Sequence, residues 1–224
     1  MNRLLAAAAV VASTIAAPAL AASLIVNGDF ESDPAPSPGY TQYLGGSSFT
    51  GWSVTGNDVL LIDRLYSESG LVFNAQGGSN NAIDLTGAGN TGFADGITQT
   101  VATEAGKTYK LVFFVGNASP TGGNAFAYRN PSIVNLSIDG GGLQSFTNGT
   151  DTPFAINWKR FSTIFVATGA TSLAFSNGTP PGDNMAGLDT VSLVAIPEPA
   201  TWAMLVLGFG LVGVASRRRT VSAA

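Results

Sequence analysis

Tyr109-Lys110-Leu111-Val112-Phe113-Phe114-Val115, residues 109–115, is the stretch from which the fold is read. It is nearly continuous in apolar residues and bounded by turn formers, which predicts a central strand covered on both faces. The turn before it, Glu104-Ala105-Gly106-Lys107, leads back to an earlier strand over Gly96-Ile97-Thr98-Gln99-Thr100-Val101. Downstream, Val134, Leu136 and Ile138 alternate with Asn135, Ser137 and Asp139, the period of a half-buried strand. Asp139-Gly140-Gly141-Gly142 then turns the chain back into residues 143–146 as a hairpin.

The same punctuation continues in both directions. Towards the C-terminus, residues 158–167 (WKRFSTIFVA), 172–176 and 188–193 (LDTVSL) read as strands. Towards the N-terminus, strands are expected at 23–26, from Trp52, at 59–62 and at 81–85. The loop 33–39 holds Pro34, Pro36 and Pro38, whose fixed φ and missing N–H exclude a ladder there. Nothing in the middle of the chain reads as a helix. About ten short strands separated by Gly, Asn, Ser and Thr predict an all-β fold, an antiparallel two-sheet sandwich or jelly roll.

Both ends read differently. Arg3, the apolar run 4–11 and Ala19-Leu20-Ala21 have the parts of a secretory signal peptide, residues 1–21. At the other end, residues 196–219 comprise a rigid Pro197-Glu198-Pro199 opening, an uncharged apolar run 200–216 and Arg217-Arg218-Arg219. Seventeen helical residues rise about 26 Å, just short of a hydrocarbon core of about 30 Å. A single transmembrane helix over 200–216 is therefore expected. The arginines and residues 220–224 stay in the cytoplasm, and Trp202 lies near the outer interface. Between the ends, residues 22–195 form one domain.

That domain carries thirteen Asp and Glu against six Lys and Arg, a net −7, with no basic stripe, so nucleic acid is excluded as a partner. The chain has no cysteine and no histidine. Disulfides, Ser-His-Asp and Cys-His triads and the usual zinc sites go with them, and no enzymatic activity is expected.

Two resemblances follow. Pro197, Glu198, Pro199, Trp202 and Ala203, with the glycine-spaced apolar run and Arg217, Arg218 and Arg219, resemble the PEP-CTERM sorting signal in its PEPxxWA form. The resemblance implies an exosortase-type processing protease as partner. It also implies transient anchoring in the inner membrane, then delivery to the cell surface or extracellular matrix of a Gram-negative bacterium. The stretches LIVNGDFE, GWSV, NAIDLTG, GITQTVATEAGKTYKLVFFVGN, WKRFSTIFVA and GLDTVSL together resemble the galactose-binding-like jelly rolls, including DUF642-type domains and carbohydrate-binding modules.

In such sandwiches the first and last strands lie together, and a structural calcium is often held beside them. Carried onto this sequence, that implies Glu31 and Asp189 as metal ligands, completed by main-chain oxygens. Asp189 shares parity with Val191 and Leu193 and is thus expected on the inward face, where an unpaired carboxylate is costly. The alternative is that Asp189 accepts backbone N–H bonds and Glu31 is a surface charge.

A glycan site needs exposed aromatic faces and a few polar groups. Loop candidates are Tyr40, Tyr43, Tyr66, Phe126, Tyr128 and Arg129, while Trp52 and Trp158 lie in strand patterns and are assigned to the core. Asp84, Asp95 and Glu104 are available to a glycosidase, but nothing in the sequence pairs them. The function expected is a non-catalytic exported protein that binds or structures extracellular polysaccharide. A structural or adhesion protein without sugar recognition, and a carbohydrate-active enzyme, are the alternatives.

Overall fold

In the computed structural model, residues 22–68, 70–89, 95–118, 128–182, 184–197 and 206–213 are described. In chain order the strands are β1 (Tyr40–Leu44), β2 (Ser48–Phe49), β3 (Trp52–Thr55), β4 (Asp58–Asp63), β5 (Ser67–Glu68), β6 (Leu71–Val72) and β7 (Asn81–Asp84). They continue as β8 (Gly96–Val101), β9 (Thr108–Asn117), β10 (Ser132–Ile138), β11 (Gln144–Asn148), β12 (Asn157–Val166), β13 (Thr171–Asn177) and β14 (Gly187–Ala195). One six-stranded antiparallel sheet runs β1-β4-β7-β14-β9-β12 and faces a second, β11-β10-β13-β8-β3-β2. This is the expected sandwich.

Its core is built by period-two alternation. On β9, Tyr109, Leu111, Phe113 and Val115 are buried against the opposite sheet, and the Phe113 ring lies 5.1 Å from Phe175 and 4.9 Å from Phe146. Burying a side chain of that size contributes about 2–3 kcal/mol. Lys110, Val112 and Phe114, on the other face, are only half-buried. The expectation that 109–115 is covered on both faces is thus corrected: the strand has a neighbour at each edge but a full cover on one side.

The strands covered on both faces are β4, buried at all six positions, and the shorter β7 beside it, buried at all four. Val59 and Leu61 enter the main core, whereas Leu60 and Ile62 point outward into a second cluster with Leu71, Phe73, Ala118, Tyr128, Ile156 and Met185. The β5–β6 hairpin and the segment around Ile156 supply this extra layer. They are tied by Val72 N donating to Phe154 O (3.1 Å) and Ile156 N donating to Asn74 Oδ1 (2.7 Å).

The first segment does lie beside the last strand, but residues 23–26 form no strand. Leu24 N donates to Leu193 O at 2.8 Å, in one sheet, while Val26 N and O pair with the side-chain amide of Gln99, in the other, both at 2.9 Å. A segment that spans the gap between two sheets cannot enter the ladder of either. Its closest approach is at Gly28, whose added Cβ meets Val191 O at 2.0 Å, so glycine is required there.

A bulge in β14 corrects the parity of Asp189. Asp189 pairs with Phe114 and Ser192 with Val112, so three steps on β14 match two on β9, with Thr190 at φ 52° taking the extra residue. Leu188, Val191 and Leu193 face the core, and Asp189 turns to the outer face with Phe114. Of the expected helix 200–216, residues 206–213 are helical and exposed, while 200–205 and 214–216 lie outside the described residues. Among the described residues no helix is long and apolar enough to cross a membrane. The expected signal peptide, residues 1–21, also lies outside them.

Candidate functional site

The second cluster forms the floor of a cleft of about 440 Å³ on the outer face of β1, β4 and β7. Leu60 and Ile62 line it from β4. Tyr40 reaches it because its register partner on β4 is Ile62. Tyr66 is placed by the turn that follows β4, in which its N donates to Asp63 O at 2.9 Å. Phe73 is carried in by the hairpin and Tyr128 by a backbone turn at φ 56°. The rings form a chain, Tyr40 to Tyr66 at 5.4 Å, Tyr66 to Phe73 at 5.2 Å and Phe73 to Tyr128 at 6.0 Å. Two of the three contacts are edge-on, so ring faces stay available to a ligand.

Two carboxylates complete the cleft. Glu68 Oε2 accepts from the Tyr66 hydroxyl at 3.4 Å and the Tyr128 hydroxyl at 3.2 Å. Asp84, at the end of β7, is buried, and every protein donor to it converges on Oδ1: Thr86 N (3.0 Å), Thr86 Oγ1 (2.8 Å) and Ala186 N (3.0 Å). Among the described residues none donates to its Oδ2, and Asp84 lines the cleft. Burial pushes the Asp84 carboxyl up to about 6, against the three donors, which lower it. Burial likewise raises the Tyr66 hydroxyl, with the Glu68 charge adding to it. At the rim, Gly87 (φ 65°) passes so close to Asp58 that an added Cβ meets Asp58 Oδ1 at 2.4 Å, so the rim turn requires glycine. Apolar ring faces beside unshared acceptor oxygens can hold a molecule with C–H faces and hydroxyl groups.

Of the expected ligand residues, Tyr40, Tyr66 and Tyr128 come together here. Tyr43 does not. It lies on β1 three residues after Tyr40, an odd step in a strand, and so faces the opposite way, with its ring 5.0 Å from Phe49 and half-buried against the main core. Burial raises its hydroxyl, with the Asp33 charge second. Both tyrosines sit on a strand rather than a loop. Arg129 is exposed beside Tyr128 and is not among the lining residues, and Phe126 lies outside the described residues. Trp52 is core, as expected, and Trp158 packs on the second cluster, its Nε1 donating to Asn74 O at 2.8 Å. Sequence reasoning missed Phe73 and Glu68 as site residues and named Asp84 only as an unpaired carboxylate open to a glycosidase. Asp84 carried one usable signal, a Thr two positions on that can turn its carboxylate onto the main chain.

Glu31 and Asp189 both hold the 76–81 segment. Glu31 Oε1 accepts from Asn80 N and Asn81 N, each at 2.7 Å, and Oε2 from Asn80 Nδ2 at 2.8 Å. Asp189 Oδ2 accepts from Gln76 N (2.9 Å) and Ser79 Oγ (3.2 Å), and Oδ1 from Thr190 N (2.6 Å) and Thr190 Oγ1 (3.4 Å). Burial raises the Asp189 carboxyl to about 7 despite these donors. Every carboxylate oxygen of the pair already faces an N–H or O–H. A cation needs the opposite, so the residues do not fit the expected calcium. Among the described residues no group of three His, Cys, Asp or Glu gathers to hold a metal. Of the sorting residues, Pro197 is described, whereas Glu198, Pro199, Trp202, Ala203 and Arg217 to Arg219 lie outside the described residues.

Similar solved structures include the C-terminal domain of EclA, a sugar-binding protein (19% identity over 43% of this chain and 64% of that one, TM-score 0.34). Another is an exo-β-1,3-galactanase of Phanerochaete chrysosporium with galactose (17% identity, 70% of this chain and 29% of that one, TM-score 0.37). A third is TmCBM61 with β-1,4-galactotriose (18% identity, 78% of this chain and 99% of that one, TM-score 0.43). The chain spans less than two thirds of the first two. No curated protein matches the chain. The PEP-CTERM protein-sorting motif matches residues 195–219. Residues 23–187, well over half of the chain, match the family described as a protein of unknown function (DUF642), and the chain belongs to that family.

Proposed function

We propose that this chain is an exported, exosortase-processed surface or matrix protein that binds extracellular polysaccharide, without catalysis, in the cleft over β4. One observation carries the reading. Three tyrosines and a phenylalanine line a cleft that also holds a buried carboxylate with one oxygen uncommitted to the protein. Ring faces suit the apolar side of a pyranose, and Asp84 Oδ2 is an acceptor for its hydroxyls. The sorting motif supports a destination outside the inner membrane, where such polymers are met.

The test is titration of the full chain with a panel of bacterial exopolysaccharides, beside Phe73→Ala and Tyr66→Ala variants. Saturable binding lost in both variants, while the fold survives by circular dichroism, is the expected result. Binding equal in wild type and variants removes the cleft from the reading, and no binding leaves a structural or adhesive role. Two carboxylates in one cleft are the single observation that favours a glycosidase instead. Release of reducing ends from the same polymers, abolished in Asp84→Asn or Glu68→Gln, would establish it.

A further inference from the structure

The charge of the cleft is one-sided. Among the described residues its lining includes Glu68 and Asp84 and no Lys or Arg, Arg129 beside Tyr128 being exposed and outside it. In the sequence that adjoins the lining residues Gly89 and Tyr128, residues 90–94 (NTGFA) and 119–127 (SPTGGNAFA) contain no basic residue either. Asp84 is 5% exposed, and Oδ2, the oxygen without a protein donor, belongs to a residue that lines the cavity. The same cleft is lined by four aromatic rings, whose faces attract cations.

We propose that the cleft reads the charge of its glycan, taking a sugar with a free ammonium group, an unacetylated amino sugar, over the neutral sugar of the same shape and rejecting uronates. This rests on the reading of the cleft as a glycan site. An ammonium donates charge-assisted hydrogen bonds to Asp84 Oδ2 and Glu68 while its charge lies against tyrosine faces. A neutral hydroxyl makes the same contacts without the charge. A uronate brings a third carboxylate among two that have no basic partner in the lining, and like charges brought together in a partly dry site are an effective bar.

The experiment titrates the full chain with trimers of glucosamine, glucose and glucuronate, at about pH 7, where the amine still carries charge and Asp84 is ionised, in low and high salt. We expect the glucosamine trimer to bind about fivefold or more tighter than the glucose trimer, in line with one or two partly exposed charge pairs. The advantage shrinks at high salt, and the glucuronate trimer shows no measurable binding. In Glu68→Gln and Asp84→Asn the amine-to-neutral ratio falls towards one. A ratio unmoved by both substitutions overturns the proposal, since the net charge of the domain then explains it. Equal binding of glucosamine and glucose trimers overturns the charge selection and leaves the sugar site standing, whereas no binding of any trimer removes both. Glu68 is exposed on the short β5, so its variant carries the test if the buried one fails to fold.

Discussion

Asp84 and Asp189 are buried acids on neighbouring strands of one sheet, and they are used in opposite ways. Around Asp189 each oxygen accepts a backbone N–H, Gln76 on Oδ2 and Thr190 on Oδ1, with the Ser79 and Thr190 hydroxyls nearby shared with Gln76, and the carboxylate fastens the Gln76–Ser79 turn to β14. Around Asp84 three donors crowd onto one oxygen and, among the described residues, none reaches the other, in a residue that lines the cleft. Burial raises both, to about 7 and about 6. The difference in satisfaction, not in burial, separates the strut from the carboxylate proposed to meet a ligand.

Replacing each acid by its isosteric amide breaks or sharpens that contrast. The largest effect is expected from Asp189→Asn. An amide keeps one acceptor and turns an N–H towards donors on the other side, leaving either Gln76 N or Thr190 N unpaired in a buried place. The loss is on the order of 2–3 kcal/mol, which for a domain of this size lowers the melting temperature by roughly 5–10 °C. A variant that melts with the wild type would show that the clamp is not structural.

The pH dependence comes next. Both folded-state values lie above the ordinary carboxylate value of 3.8, so the native state holds these two protons more tightly than the unfolded chain. The stability they confer is complete below about pH 4 and is lost as pH rises through about 6 for Asp84 and about 7 for Asp189. With no histidine in the chain, little else titrates across this range. Between pH 5 and pH 8 we expect denaturation midpoints to fall by the equivalent of about 2–4 kcal/mol. Stability that rises over that interval contradicts the assignment.

A smaller effect of opposite sign is expected from Asp84→Asn. The amide oxygen keeps all three donors, and the charge is gone. At pH 8 the variant should gain about 1–2 kcal/mol over wild type, with no gain at pH 5, and lose affinity for polysaccharide. Gain of stability with loss of binding is what a functional carboxylate held at a cost produces.

The strands were largely legible because alternation is local. Gly96–Val101 is read with the bounds the structure gives, and the strand at 172–176 is one residue short at each end. Two long-range facts were not legible. YKLVFFV and DVLLID are equally apolar runs, and which one lies beneath a second layer depends on where residues 71–74 and 156 land, far along the chain. The parity of LDTVSL reads straight through Thr190, because a bulge leaves no mark on apolar spacing. The cleft was legible only in part. Three of its tyrosines could be named as aromatics outside the core, but Tyr43 belonged with them until β1 fixed which way each ring points.

The smallest expected effect is that of chelation, and it bears on the same contrast from the other side. The resemblance implies a calcium ion between Glu31 and Asp189. An ion there must be coordinated by lone pairs, yet N–H and O–H groups from Asn80, Asn81, Gln76, Ser79 and Thr190 already point at all four oxygens. Bringing in the ion requires those donors to turn away, including the backbone N–H groups of Gln76, Asn80 and Asn81. EDTA should therefore leave the melting temperature unchanged, and added calcium should not raise it. A fall of several degrees on chelation would mean that the 76–81 segment opens to admit a cation. Asp189 would then be, like Asp84, an acid kept for a guest.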